Sequence, residues 1–182
     1  DGKTFAYGNT KLSFSKAVAH GADGSNLGWV IMTTIEHDDE RFMHAPDVQG
    51  PMSRNTTELI LASKPTVIML GGPPFYLSGL RVDQNQLDEG LRNLERVVEA
   101  LPMVILEHHA LRDENWREKM EPIFQKAKLA GHCIVTAAEY TGQKNYFLET
   151  KRKQLFLDYP PSEEFKQWMK TLNNNKIEKP PI

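Results

Sequence analysis

The middle of the sequence alternates between short apolar runs and longer segments with a helical period. "PTVIML" (65–70) and "PMVILE" (102–107) are continuous apolar runs with the length and composition of buried strands. The segment between them, "DQNQLDEGLRNLERVVEAL" (83–101), is predicted to be an amphipathic helix. Its apolar residues recur at three- and four-residue spacing: Leu87, Leu91, Leu94 and Val98.

Helical segments also flank these two strands. "SRNTTELILAS" (53–63) is predicted to be a short helix, and "DENWREKMEPIFQKAKLAG" (113–131) a second helix that is kinked or stopped near Pro122. Apolar strands that alternate with helices predict an α/β fold in which adjacent strands run parallel.

The two ends of the chain have different sequence patterns from the middle. Residues 3–50 are predicted to form strands, among them a hairpin in which "LGWVIMTTIEH" and "RFMHA" flank the turn "HDDE". Helical patterns return within 146–157 and after the Pro160-Pro161 pair, and "NNNKIEKPPI" at the end is predicted to be an extended tail. We therefore expect one α/β domain over residues 1–145 and a helical extension with a tail over 146–182.

Composition excludes several classes of protein. The net charge of −2 gives no reason to expect nucleic acid or an anionic membrane as a partner. No apolar run is long enough to span a bilayer, and the first residues lack the pattern of a signal peptide. A single cysteine, Cys133, excludes an internal disulfide framework and fits a reducing compartment. These features predict a soluble, cytoplasmic protein.

Histidine and aspartate residues stand where three predicted strands end. His20 is followed by a glycine-rich loop, Asp47 lies between Pro46 and a Gly-Pro turn, and His108 and His109 follow "PMVILE". Functional groups collect at strand ends because the sheet holds the loops there in place. Imidazole and carboxylate groups are ligands for zinc, manganese or iron, so the pattern indicates a metal site.

Simpler interpretations exist for each of these features. His20 could cap a loop, and Asp47 could accept hydrogen bonds in an Asx turn. The turn at Gly71-Gly72 lacks the Lys-Ser/Thr of a phosphate-binding loop, so it is either a plain turn or a border of the pocket. His37, His44 and His132 are interpreted as a turn residue, a sheet residue and a structural residue.

The order of these motifs resembles a known superfamily. His20 precedes a strand that begins with Gly28-Trp29, Asp47 ends a later strand, "GGPP" (71–74) follows a buried strand, and the paired histidines precede Arg112-Asp113. This order is similar to the C-terminal half of the metallo-β-lactamase superfamily, and most similar to an uncharacterised, mainly archaeal branch of predicted metal-dependent hydrolases. The similarity extends from residue 1 to at least residue 116 and includes "YPPSEEFKQWM".

The resemblance implies the C-terminal half of a four-layer αββα sandwich with two divalent cations, of zinc, manganese or iron. It implies that Asp47 bridges the cations, that His20 binds one, and that His108 or His109 binds the other. Neighbouring residues on a strand point to opposite faces, so one of the pair is expected to coordinate, and the superfamily's pattern favours His108. The other, or Arg112, would support a ligand or contact an anionic substrate. Gly71 and Gly72 would border the pocket.

One part of the superfamily's pattern is absent from this sequence. No His-x-His-x-Asp-His run occurs, although the superfamily carries one in its N-terminal half. The resemblance therefore implies that an N-terminal half is missing or lies on another chain. Without it one face of the sheet would stay uncovered, so we expect pairing with another chain, a homo-oligomer included, or a large exposed apolar face.

These features predict a metal-dependent hydrolase whose catalytic residues are Asp47, His108 and His109. Two cations roughly 3.5–4 Å apart would activate a shared water and polarise a carbonyl or phosphoryl group. A non-catalytic binding or scaffolding fragment is one alternative, and a metal-dependent ribonuclease is another. The net charge of −2 favours a small-molecule substrate over nucleic acid.

Overall fold

The computed structural model describes residues 2–171. The chain divides into two compact units, Asp1–Tyr146 and Phe147–Ile182. The strands among the described residues are β1 (Thr4–Tyr7), β2 (Thr10–Phe14), β3 (Val18–Ala19), β4 (Trp29–Val30), β5 (Thr33–His37), β6 (Glu40–Ala45), β7 (Val67–Leu70), β8 (Met103–Leu106) and β9 (Cys133–Thr136). The α-helices are α1 (Arg54–Ser63), α2 (Gln84–Ala100), α3 (Trp116–Lys119), α4 (Glu121–Leu129), α5 (Ala137–Tyr140), α6 (Arg152–Asp158) and α7 (Glu163–Thr171).

Seven strands form one mixed sheet in the order β1-β2-β5-β6-β7-β8-β9, and β3 pairs with β4 in a separate sheet. Strands β1, β2, β5 and β6 are antiparallel, which confirms the predicted β5–β6 hairpin. Strands β6, β7, β8 and β9 are parallel, as the alternation of strands and helices predicted. The chain therefore has a mixed α/β fold.

Helices cross between the parallel strands and cover one face of the sheet. The apolar residues of β6 to β9 on that face are buried, and they form one core with the apolar sides of α1, α2 and α4. The sheet contributes Met43, Ala45, Ile68, Leu70, Val104, Leu106 and Ile134 to this core. Successive parallel strands joined by right-handed crossovers place their helices on the same face, which accounts for this one-sided burial.

The opposite face of the sheet is apolar and only partly covered. The strand register aligns Phe5, Leu12, Ile35 and Phe42 on one rung across β1, β2, β5 and β6. Phe5 is 43% exposed and Ile35 is 40% exposed. Among residues 2–171 the only other sheet has two strands, β3 and β4, so the described chain does not itself form a four-layer sandwich.

Several predicted boundaries differ from the structure. The helix predicted over residues 113–131 begins only at Trp116. Its predicted interruption near Pro122 is confirmed, because α3 and α4 meet at Met120 and Pro122 in the first turn of α4 cannot donate a backbone hydrogen bond. Strand β9 and helix α5 were not predicted, since each has four residues and little pattern of its own. The predicted tail over 173–182 lies outside the described residues. No helix of the described part of the chain is long and apolar enough to cross a membrane.

Candidate metal centre

Four of the predicted site residues meet beyond the ends of β3, β6 and β8. His108 Nε2 and His109 Nε2 each lie 3.0 Å from Asp47 Oδ1. His20 Nε2 lies 3.9 Å from the same oxygen. The ligand atoms of His20, Asp47 and His109 all lie within 4.8 Å of one another. Three imidazole nitrogens therefore surround one carboxylate oxygen.

The two neighbouring histidines do not point in opposite directions. Strand β8 ends at Leu106, and His109 adopts a helical backbone conformation (φ −67°, ψ −50°) before a 3₁₀ turn at Ala110–Arg112. The two imidazole rings lie 4.2 Å apart, and both face Asp47. The expectation that strand alternation separates them is wrong, because the pair follows the strand. His109 is the more buried, with its side chain 6% exposed against 36% for His108.

The loop that carries Asp47 is held in an unusual conformation. Asp47 and Gln49 have positive φ angles of 52° and 54°, which cost energy for residues other than glycine. The carbonyl of Asp47 accepts a hydrogen bond from Gly21 N at 3.2 Å, which ties this loop to the loop of His20. The Asp47 carboxylate faces imidazole nitrogens, which is not the geometry of an Asx turn.

The glycine pair after β7 packs directly under the histidines. A Cβ atom at Gly71 would lie 3.1 Å from His109 Cδ2 and 3.5 Å from His108 Cε1. A Cβ atom at Gly72 would lie 2.8 Å from the Cβ of buried Ala110. These glycines therefore border the site, and their lack of a side chain lets the imidazoles approach β7.

Tyr76 is a site residue that the sequence motifs did not indicate. Its hydroxyl lies 3.1 Å from His109 Nδ1, and its ring stacks on the imidazole at 6.2 Å between centroids. Arg112 Nη1 donates a hydrogen bond to the same hydroxyl at 2.8 Å. The phenol oxygen accepts from Arg112 and has a second acceptor position, so the contact also fits the tautomer in which His109 Nδ1 donates to Tyr76 and Nε2 keeps its lone pair.

The buried charges of the site influence one another. Burial lowers the pKa of His109 to about 4, and the charge of His108 acts in the same direction. The Glu107 carboxylate, 3.7 Å from His108 Nδ1, raises the pKa of His108 against the effect of burial. Burial alone would raise the pKa of Asp47, but hydrogen bonding to His109 and the charge of His108 hold that pKa below its ordinary value. At neutral pH the site therefore combines a neutral His109 with an ionised Asp47.

The other histidines occupy ordinary positions. His37 ends β5, where its Nδ1 lies 2.8 Å from the Thr10 hydroxyl. His132 Nδ1 donates to the carbonyl of Val98 at 2.8 Å. His44 lies on β6, 3.7 Å from Glu107 Oε1, at the margin of the site.

Comparison with known proteins finds archaeal relatives that share the name "UPF0282 protein". A protein of Methanopyrus kandleri is 36% identical over 155 residues, which are 85% of this chain and 52% of that protein. A protein of Korarchaeum cryptofilum is 34% identical over 92% of this chain and 56% of its own length. A protein of Saccharolobus islandicus is 39% identical over 86% of this chain and 51% of its own length.

The comparisons correct the superfamily that the motifs suggested. No family model matches the chain, and no solved structure matches it. The prediction of a metallo-β-lactamase superfamily member is therefore wrong, whereas the expected archaeal relatives are confirmed. The chain spans about half the length of the curated relatives it matches, and along most of its own sequence it is similar to archaeal proteins named UPF0282.

Proposed function

We propose that this chain binds a divalent cation with His20, Asp47 and His109 and forms part of a metal-dependent hydrolase. The observation that carries the proposal is the convergence of imidazole Nε2 atoms on Asp47 Oδ1, at 3.0 Å for His109 and 3.9 Å for His20. Zinc, manganese and iron bind imidazole and carboxylate groups, and a catalytic zinc keeps about three protein ligands and an open position. The Asp47 side chain is 36% exposed, so water can reach it.

The residues around this cluster suit a hydrolytic reaction. When bound, a divalent cation supplies activation of water and stabilisation of charge developing on a carbonyl or phosphoryl oxygen. His109 would bind through Nε2 as the tautomer whose Nδ1 donates a hydrogen bond to the Tyr76 hydroxyl. His108 is more exposed than His109 and is paired with Glu107 at 3.7 Å, so its Nε2 can donate a proton to a leaving group.

A second cation would need ligands that the residues of this cluster do not supply. We propose that a further segment provides them, because the relatives extend well beyond the matched region. The same segment would cover the open sheet face and make this chain one half of a larger layered domain. A cytoplasmic location belongs to the proposal and rests on the single, free thiol of Cys133.

Metal analysis tests the binding step. After equilibrium dialysis against zinc or manganese, elemental analysis should find at least one equivalent of metal per chain. His20→Ala and Asp47→Asn should each weaken binding more than about tenfold, since each removes a ligand atom. His37→Ala is the matched control and should keep the wild-type affinity. Absence of stoichiometric metal, or equal loss in the control, would contradict the proposal.

Turnover separates an enzyme from a binding fragment. A loaded protein should hydrolyse p-nitrophenyl acetate or bis-p-nitrophenyl phosphate, and His108→Ala should lower the rate by about 100-fold while metal content stays unchanged. Stoichiometric metal without turnover of either ester, in this chain and in a relative of full length, would favour the non-catalytic alternative.

A further inference from the structure

A cleft of about 450 Å³ opens beside the metal cluster. His20 lies in its wall, so the cleft and the cluster share a side chain. The loop after β3 supplies one side, and the start of α2 with the preceding turn supplies the other. A volume of this size accommodates a small organic ligand. A molecule bound here would lie next to the atoms that face the proposed cation.

Gln49 is a buried polar residue that lines this cleft. The residue is only 3% exposed, yet among residues 2–171 no group hydrogen-bonds its carboxamide. The carboxamide is not among the buried side-chain atoms that lack a partner in the described part of the chain, so it reaches the cleft, where water or a ligand can hydrogen-bond to it. The positive φ of 54° at Gln49 adds backbone strain at the same position. A ligand in the cleft could therefore replace that water at the Gln49 carboxamide.

Gly21 makes room for this carboxamide. A Cβ atom at Gly21 would lie 2.5 Å from Gln49 Oε1, so a side chain at this position would displace the carboxamide. Gly21 also has a φ of 79°, which favours glycine, and it directly follows His20. The missing side chain of Gly21 therefore leaves the space that the Gln49 carboxamide occupies in the wall of the cleft.

The rest of the cleft has an apolar wall and a mixed rim. Leu27, Leu77 and Val82 contribute apolar surface. Arg81 lies exposed at the rim, and the structure describes no ion pair for it within residues 2–171. Asp83 also lines the rim, so the cleft is not uniformly positive. A ligand that fits these surfaces has an apolar part and an anionic end.

We propose that this cleft is the substrate subsite of the metal centre and that it binds an acyl-amide with a carboxylate. Gln49 would pair with the amide group, since a carboxamide offers a donor and an acceptor together. The hydrocarbon part would lie along the apolar wall, and the carboxylate would face Arg81. The role as a substrate subsite rests on the proposed hydrolase function, whereas ligand binding itself does not.

Titration with N-acetyl-L-leucine, followed by ¹H–¹⁵N NMR of metal-free protein, tests this subsite. The probe carries the amide, the apolar branch and the carboxylate, and removal of metal prevents its carboxylate from binding a cation. It should shift the side-chain amide signals of Gln49. Gln49→Leu should weaken binding about tenfold, the loss expected for a missing buried hydrogen bond, and Arg81→Met should weaken it as well. Gln125→Leu, on the exposed side of α4, is the matched control and should change nothing.

A second probe isolates the amide. 4-Methylpentanoate lacks that group, so it should bind wild type about tenfold more weakly and should not distinguish Gln49→Leu from wild type. Equal binding of N-acetyl-L-leucine to wild type and to a folded Gln49→Leu would overturn the subsite, as would the absence of any shift at Gln49. Zinc binding without probe binding would contradict the subsite and leave the metal proposal intact. Probe binding without zinc binding would support the ligand site and contradict the metal proposal.

Discussion

At the scale of single residues, the site depends on how closely three imidazoles approach one oxygen. A carboxylate at the end of β6 meets histidines from two other loops, with nitrogen–oxygen distances of 3.0 to 3.9 Å. Such crowding needs small neighbours and fixed ring orientations. Gly71 meets the first need, and the hydrogen bond between Tyr76 and His109 meets the second.

Gly71→Ala should displace the His109 ring, because the added Cβ would lie 3.1 Å from His109 Cδ2. The expected result is zinc affinity reduced by about tenfold, measured by competition with a chromophoric chelator. Gly72→Ala should instead destabilise the fold by about 1–3 kcal/mol in urea unfolding, since its Cβ would overlap Ala110. Unchanged zinc affinity in Gly71→Ala would show that the ring is free to move.

Tyr76→Phe should weaken zinc binding by roughly 10–100-fold, because His109 loses the hydroxyl that holds its Nδ1. Calorimetry measures the affinity, and imidazole ¹⁵N shifts report whether the tautomer of His109 has changed. Tyr140→Phe, on exposed α5, is the control. Loss of affinity with an unaltered tautomer signal would point to a general packing effect rather than to positioning of His109.

At the scale of elements, the short helix α5 depends on its capping residues. Thr136 N donates to Glu139 Oε2 at 2.9 Å, and Glu139 N donates to the Thr136 hydroxyl at 3.1 Å, which forms a capping box. The Glu139 carboxylate also pairs with Arg117 and accepts from Asn145 at 2.8 Å. A four-residue helix has little stability of its own, so these contacts hold it at the end of β9.

Glu139→Gln should lower the free energy of unfolding by about 1 kcal/mol at neutral pH, because the capping charge and the Arg117 pair are lost. Burial would raise the pKa of Glu139, but the hydrogen bond from Thr136 and the Arg117 charge bring it below 4.5. Because the pKa of Glu139 is lower in the folded protein than in the unfolded chain, its stabilisation is fully present at pH values above the pKa in the unfolded chain. The stabilisation is lost as the pH falls through the pKa in the folded protein. Urea unfolding of both proteins should therefore give a difference that shrinks below about pH 4. A constant difference would exclude the charge as its source.

At the scale of the whole molecule, the helices between the parallel strands cover one face of the seven-stranded sheet, and within residues 2–171 the antiparallel part of the other face is only partly covered. Phe5 and Ile35 leave 43% and 40% of their surface exposed on the other face. Large exposed apolar patches are typical of surfaces that bind another protein segment. The relatives are about twice as long as the region that matches, so their remaining residues are candidates to cover this face.

Ile35→Lys should reduce the binding of the dye ANS to this chain, because the substitution places a charge in the middle of the open sheet face. Stability should change little, since Ile35 is already 40% exposed. Leu129→Lys is the control, as Leu129 is 88% exposed on α4. ANS fluorescence that stays the same in Ile35→Lys would show that this face does not bind the dye.

Much of this protein could be predicted from local pattern. The apolar runs before Gly71 and His108 are strands of the sheet, and the segment from Leu87 to Val98, with apolar residues at helical spacing, lies in a helix. Such patterns are visible in the sequence because one buried face of a helix requires apolar residues at regular spacing. The meeting of Asp47 and the histidine pair followed from the ends of parallel strands in one sheet, whereas His20 reaches them from β3, which belongs to the separate two-stranded sheet. Strand β9 was not predicted because its four residues carry too short a pattern. Its pairing with β8, which the local sequence does not show, makes this segment a strand.

Only the tertiary structure decided how the site is assembled. Both histidines face Asp47 because the chain leaves the strand at Leu106, a boundary to which local pattern is insensitive. Tyr76 and Gln49 join the site through contacts between segments that are distant in sequence, and no spacing encodes such contacts. The sequence by itself indicated that His20, Asp47 and the histidine pair follow strand ends and come together. Packing determined which atoms face one another, since distances between loops depend on the whole fold.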